Sequence, residues 1–182
     1  MYSKKSVNNI TSLILVAFIF LTVSCKKTET KPVIGETFKG GKVFFIDNTG
    51  EHGLVVAATD QGTGSEWGCI GTTISGADGT AVGTGNQNTM DITKGCTEVG
   101  TAAKVCSDLV LEGFSDWYLP SKEELSLLFA KKDVIGGFAK DTYWSSSEAN
   151  GNCAWLQSFD TGVIFATTPK DYGTNVRAIR AF

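Results

Sequence analysis

The chain has 182 residues, 42% of them hydrophobic, with 16 Lys and Arg against 19 Asp and Glu. Once an N-terminal leader is set aside, that is about one domain's worth of chain, enough to bury a real core. No basic cluster occurs beyond the first 31 residues, which excludes nucleic acid and heavily sulfated polysaccharide as natural partners.

The first element is an export signal. Lys4 and Lys5 form a short basic region, Leu13 to Leu21 an unbroken apolar run, and Thr22-Val-Ser24 leads into Cys25. The run is too short to cross a bilayer. Leu21-Thr-Val-Ser-Cys25 resembles a bacterial lipobox, so residues 1–24 are expected to be a signal peptide and Cys25 the lipidated first residue of the mature chain. Several acyl chains on one residue hold a membrane stably. This predicts a membrane-anchored lipoprotein of the cell envelope, in the outer membrane, facing either the periplasm or the exterior. Residues 25–34 read as the lipidated cysteine and a polar tether, and 35–182 as one domain. With Lys4 and Lys5 removed in the signal, 14 basic residues face 19 acidic ones, a net charge of −5 on the mature chain.

Two β-prone runs, Lys42–Ile46 and Leu54–Ala58, are joined by an Asp/Asn/Gly-rich connection that predicts a hairpin. Residues 59–85 then read as one long Gly-rich loop. Residues 86–93 fit a short helix closed by Gly95. The spacing of Ala102, Val105, Cys106, Leu109 and Val110 predicts a helix over 101–111, stopped by Gly113. Ser121 and Glu124 form a capping box that opens a second long helix to about Ala130. The last third reads as strands at 143–146, 154–159, 163–167 and 175–181, with a tight turn at Asp160-Thr-Gly162. Arg177 and Arg180 fall on opposite faces of the last strand, where one is expected to pair with Asp116 or Glu148.

Besides Cys25 there are four cysteines, an even number suited to two disulfides in an exported chain, with three possible connectivities. The expected pairing is Cys69–Cys96, stapling the Gly-rich loop, with Cys106–Cys153, tying a helix to a late strand. With a single histidine, His52, and no CxxC, no zinc site is predicted. The oxygen clusters at Asp47-Asn48 and Asp171–Asn175 lack the dense alternating carboxylates of a calcium loop, so calcium stays an open alternative without support and no cofactor is expected. His52 reads as an exposed turn residue, and no hydrolase elbow or phosphate loop occurs, so no catalytic residue is assigned.

The order GGKVFFID (40–47), GEHGLVVA (50–57), DWYLPSKEEL (116–125), YWSSSE (143–148), CAW (153–155) and VRAIRAF (176–182) resembles the domain family named after the C-terminal part of the Legionella collagen-like adhesin. That resemblance implies an α+β, C-type-lectin-like fold. Two helices would pack on a twisted, mainly antiparallel sheet with long loops, and Val43–Ile46 would pair with Val176–Ala181. It also implies a recognition surface in the C-terminal stretch, since recognition sits on loops carried by a rigid scaffold. The candidate contacts there are Asn150, Asn152, Gln157, Asp160, Lys170, Asp171 and Tyr172, with Trp155 able to offer its ring to a sugar. The expected function is a non-catalytic, lipid-anchored module that binds a glycan or protein at the envelope. The alternative is a structural lipoprotein within an envelope complex.

Overall fold

The hairpin near the start of the domain forms as its residues dictate. In the computed structural model, which describes Met1 and residues 31–182, β2 (Gly41–Ile46) and β3 (Gly53–Val56) pair antiparallel from Lys42↔Val56 to Ile46↔Gly53. The Asp47 carboxylate accepts the backbone N–H groups of Thr49 (3.0 Å) and Gly50 (3.1 Å) and so holds the connection. Both faces of the hairpin are buried. Val43 and Val55 enter one apolar cluster, while Phe44, Leu54 and Val56 enter the other.

A two-residue strand, β1 (Thr37–Phe38), occupies the outer edge of β2, and β9 (Ile179–Ala181) lies on β3, giving the order β1-β2-β3-β9. The expected pairing of the last strand with Val43–Ile46 is therefore corrected. That edge is taken by β1, which turns back through Lys39 and Gly40, both at positive φ, so the last strand joins β3 with Val55 opposite Arg180.

A second sheet has the order β4-β8-β5-β6-β7, comprising β4 (Gly62–Ser65), β5 (Thr142–Asn150), β6 (Cys153–Ser158), β7 (Ile164–Pro169) and β8 (Thr174–Val176). Its pairings are antiparallel except β5 with β8, which meet in parallel at Tyr143↔Asn175. The run expected as one strand over 175–181 is split between the two sheets at Arg177-Ala178. The segment read as a 59–85 loop contains β4, which the β8 backbone holds in place. Gly162 (φ +83°) closes the β6–β7 turn, as the Asp160-Thr-Gly162 motif led us to expect.

Among the described residues four helices complete the α+β unit, where the residue pattern predicts three, including the short one at 86–93, and the resemblance implies two: α1 (Gly85–Gly95), α2 (Ala102–Ser107), α3 (Lys122–Ala130) and α4 (Lys132–Ile135). The Ser121 side chain accepts Glu124 N–H and the Glu124 side chain accepts Ser121 N–H, so the capping box is present. The helix expected over 101–111 stops at Ser107. Leu111 and Phe114 then exchange backbone hydrogen bonds around Glu112 and Gly113, both at positive φ, and Val110 is exposed rather than buried. None of the helices among the described residues is long and apolar enough to cross a membrane.

The Cys69–Cys96 disulfide is present. The Cys106–Cys153 pairing is not: both thiols are free. Cys106 sits in the cluster that also takes Ala154 and Leu156, and alternation along β6 turns Cys153 to the opposite face. Burial pushes the Cys106 thiol far above its ordinary pKa. Cys25 and the tether as far as Thr30 lie outside the described residues.

The two arginines go to opposite sides of the chain end, as expected. Arg180 donates through Nε and Nη2 to the two Asp116 oxygens (2.7 and 2.8 Å) and stacks 3.9 Å over Phe114. Arg177 pairs with Asp60 and reaches the carbonyls of Ala57 and Gly137.

Candidate functional site

The C-terminal candidates fall into separate groups. Asn150 caps the β5–β6 turn, its Oδ1 accepting the N–H groups of Asn152 (2.9 Å) and Cys153 (3.1 Å). Lys170 N–H donates to the Asn152 carbonyl (3.0 Å), and Gly71 N–H donates to the Gly151 carbonyl (2.9 Å). Three turns thus meet at one end of the second sheet: 150–152, 170–173 and the loop from Cys69 that the disulfide fixes to Cys96. Asn150, Asn152, Asp171 and Tyr172 are exposed there, beside Ile70 of the disulfide loop.

The remaining candidates lie elsewhere. Asp160 is exposed at the other end of β6. Trp155 is half-buried, and the Lys122 ammonium stands 4.7 Å over one face of its ring. Gln157 is buried and donates to the Gly162 carbonyl (3.1 Å), while its Oε1 has no partner. Lys170 is fully buried. Its Nζ donates to Glu148 Oε1 (2.5 Å) and the Thr72 carbonyl (2.7 Å), 4.4 Å above the Trp67 ring. In this arrangement it is a core cation that pins the disulfide loop to β5, rather than a contact presented to a ligand.

A feature the candidate residues missed is the outer edge of β7. β7 ends the second sheet and pairs with β6 alone, so its other row of backbone N–H and C=O groups has no strand partner among the described residues. Val163, Ile164 and Phe165 are exposed along it, and no charged residue occurs between Asp160 and Lys170. Edges are usually blunted by charge, by shortness or by a covering element. Here only Pro169, at the strand's end, does so. A sequence signal was available in the uncharged run TGVIFATTP, but alternation alone cannot say which side of a strand is left unpaired.

Among the described residues, the one group of metal-ligating atoms close together is Cys69, Cys96 and Glu98. The two sulfurs are bonded to each other and the Glu98 carboxylate accepts Cys69 N–H (2.8 Å), so these atoms brace the loop. His52 is exposed on the β2–β3 turn.

Residues 56–180 match the family described as the Lcl C-terminal domain. No match is found among curated proteins. Among solved structures, the chain is similar to a fimbrial protein from Bacteroides ovatus ATCC 8483, with a TM-score of 0.51 and 18% identity over 71% of this chain. The likeness covers 35% of that chain, and at this identity it is one of fold.

Proposed function

Because the chain belongs to the Lcl C-terminal domain family, matched over residues 56–180, we propose that it is a non-catalytic binding module held at the cell envelope by a lipid on Cys25. In this reading it engages a protein partner through the strands and turns of its C-terminal face. The observation that carries it is the open, uncharged β7 edge with Val163, Ile164 and Phe165 exposed. An extended segment of a partner can add to such an edge, taking main-chain hydrogen bonds for affinity and side-chain contacts for specificity. That edge favours a protein over a glycan on this face, since its free backbone groups suit an added strand. The exposed Tyr172, Asn152 and Asp171 turn side chains stand at one end of the second sheet and supply polar contacts around the strand. The C-type-lectin-like relationship belongs to this same reading, as does the outer-membrane location drawn from the lipobox. The fold shared with a fimbrial protein is in keeping with a role outside the cytoplasm.

The test places a photo-crosslinking amino acid at Thr167, exposed on β7, and another at Glu51, exposed on the β2–β3 turn, in the full chain in intact cells. A discrete adduct at Thr167 that is absent at Glu51, and is abolished by Phe165→Lys, supports the reading. Equal adduct patterns at the two positions, or adducts indifferent to Phe165→Lys, refute it. An adduct of fixed stoichiometry in every cell would favour the structural alternative, a lipoprotein built into an envelope complex through the same edge.

A further inference from the structure

The sequence contains a single Asn-Gly pair, Asn150-Gly151, and it sits where β5 turns into β6. An asparagine before a glycine carries its own chemistry. The backbone nitrogen of the second residue can attack the side-chain amide carbon of the first and close a cyclic imide. Glycine has no Cβ to crowd that closure and takes up the backbone conformations it needs.

The turn presents every group the step requires. Asn150 is exposed, so water and base reach it. Its Oδ1 accepts the N–H groups of Asn152 (2.9 Å) and Cys153 (3.1 Å), which folds the side chain over the backbone that follows it. Those two donors point at the oxygen that gains negative charge when the amide carbon is attacked. The attacking Gly151 N–H and the departing Asn150 Nδ2 make no hydrogen bond within the described residues, so neither must first leave a partner.

The fold also holds the glycine in place. A Cβ at position 151 would lie 3.0 Å from Thr73 Oγ1 and 3.4 Å from Thr73 N, because the disulfide-tied loop packs on bare backbone there. In the same contact Gly71 N–H donates to the Gly151 carbonyl (2.9 Å). Packing thus demands the residue that leaves Asn150 open to attack. The other asparagines of the domain lack this neighbour. Asn48 and Asn88 precede threonine, Asn86 glutamine, Asn152 cysteine and Asn175 valine, and Asn88 and Asn175 are also buried.

We propose that Asn150 is a site of spontaneous deamidation in the folded domain. Gly151 N gives its proton to solvent base and bonds to Asn150 Cγ. The Cγ–Nδ2 bond breaks, and Nδ2 takes a proton from water and leaves as ammonia. Water then opens the imide at one carbonyl or the other, giving aspartate or an isoaspartate whose backbone runs through one extra methylene. Either product adds a carboxylate to the turn cluster that already holds Asp171. The isoaspartate also lengthens a turn that is tied to Gly71 and Lys170 through the Gly151 and Asn152 carbonyls. The polar end of the second sheet is altered with time and without an enzyme, and the β7 edge is not involved.

The test incubates the full-length chain in detergent at mildly alkaline pH and digests it. Mass spectrometry with electron-transfer fragmentation then separates position 150 from Asn152 and the two products from each other. Position 150 should convert roughly tenfold or more faster than any other asparagine, and faster still as pH rises. Asn150→Ser keeps an oxygen to cap the turn and should leave this peptide unmodified. In the converted fraction the Gly71 amide should exchange its hydrogen roughly tenfold faster, since its acceptor has moved. A native chain that stays intact while the urea-unfolded chain converts at position 150 overturns the proposal, because the turn would then shield the amide. Comparable conversion at another asparagine also overturns it, as does unchanged Gly71 exchange after conversion.

Discussion

Lys170 offers the sharpest test of how this domain is held together. Its ammonium has no exposure, yet it carries a full charge beside Glu148, whose side chain is also buried. Lys170→Met keeps most of the bulk over Trp67 and removes the charge. The Thr72 carbonyl then loses its donor, and the Glu148 carboxylate keeps only Ile74 N–H (2.9 Å). Breaking one side of a buried pair costs about 3–5 kcal/mol, because the surviving charge is left unpaired. The remaining hydrogen bond from Ile74 N–H keeps the penalty at the lower end, about 3 kcal/mol. For a domain of this size that is a fall in Tm of roughly 6–12 °C. Glu148→Gln in the same background removes the stranded charge and should recover about half of the loss, so the two substitutions should be strongly non-additive. Equilibrium urea unfolding followed by tryptophan fluorescence measures all four corners of the cycle, with Trp67 as a reporter beside the substitution. A single-mutant cost below about 1 kcal/mol, or strictly additive substitutions, would refute the reasoning and return Lys170 to the solvent.

Reduction of Cys69–Cys96, which closes a loop with a sequence separation of 27, should destabilise the domain by about 3.5 kcal/mol on the chain-entropy relation. Differential scanning calorimetry with and without reductant checks it. In the native protein iodoacetamide should label half-buried Cys153 well before buried Cys106, and peptide mapping that instead finds the two linked would overturn the assignment of both as free. Arg180, donating to Asp116, holds that carboxyl below its ordinary pKa, so the pair's contribution is present above the unfolded value and lost as pH falls through the folded one. Asp116→Asn should therefore cost about 1 kcal/mol at pH 7, since the carboxylate is exposed, and the gap to wild type should close in acid. Burial raises the Glu124 carboxyl against the opposing pull of its backbone hydrogen bonds, and the sign reverses. Its contribution is full below the unfolded pKa and lost as pH rises through the folded one, so the gap between wild type and Glu124→Gln should narrow with rising pH. A gap that widens would mean that the hydrogen bonds to Gly83 and Ser121 outweigh desolvation.

What could be read from the sequence was whatever local chemistry determines. Ser121 and Glu124 sit three residues apart and cap one helix, so α3 was visible before any tertiary contact was known. Cys69 and Cys96 flank a Gly-rich stretch that needs a staple, and they pair. β4 left no trace because Gly-Thr-Gly-Ser carries no apolar signal, and the strand exists through the backbone of β8, far along the chain. Lys170 stands between a proline and an aspartate and looks solvated; its partner is 22 residues away on a strand that the local sequence does not place beside it. The same limit governs the site. Alternation in Ile164–Pro169 reports a strand, and the absence of charge reports that water need not be held there. Whether that strand is enclosed or left as an edge follows from the order in which the sheet closes, and in this fold β8 inserts beside β5 while no strand of the described residues lies beyond β7. Of the candidates chosen for polarity, Asn150 is a turn cap and Lys170 a core ion, roles set by partners that the local sequence does not place, while Asn152, Asp160, Asp171 and Tyr172 stay exposed.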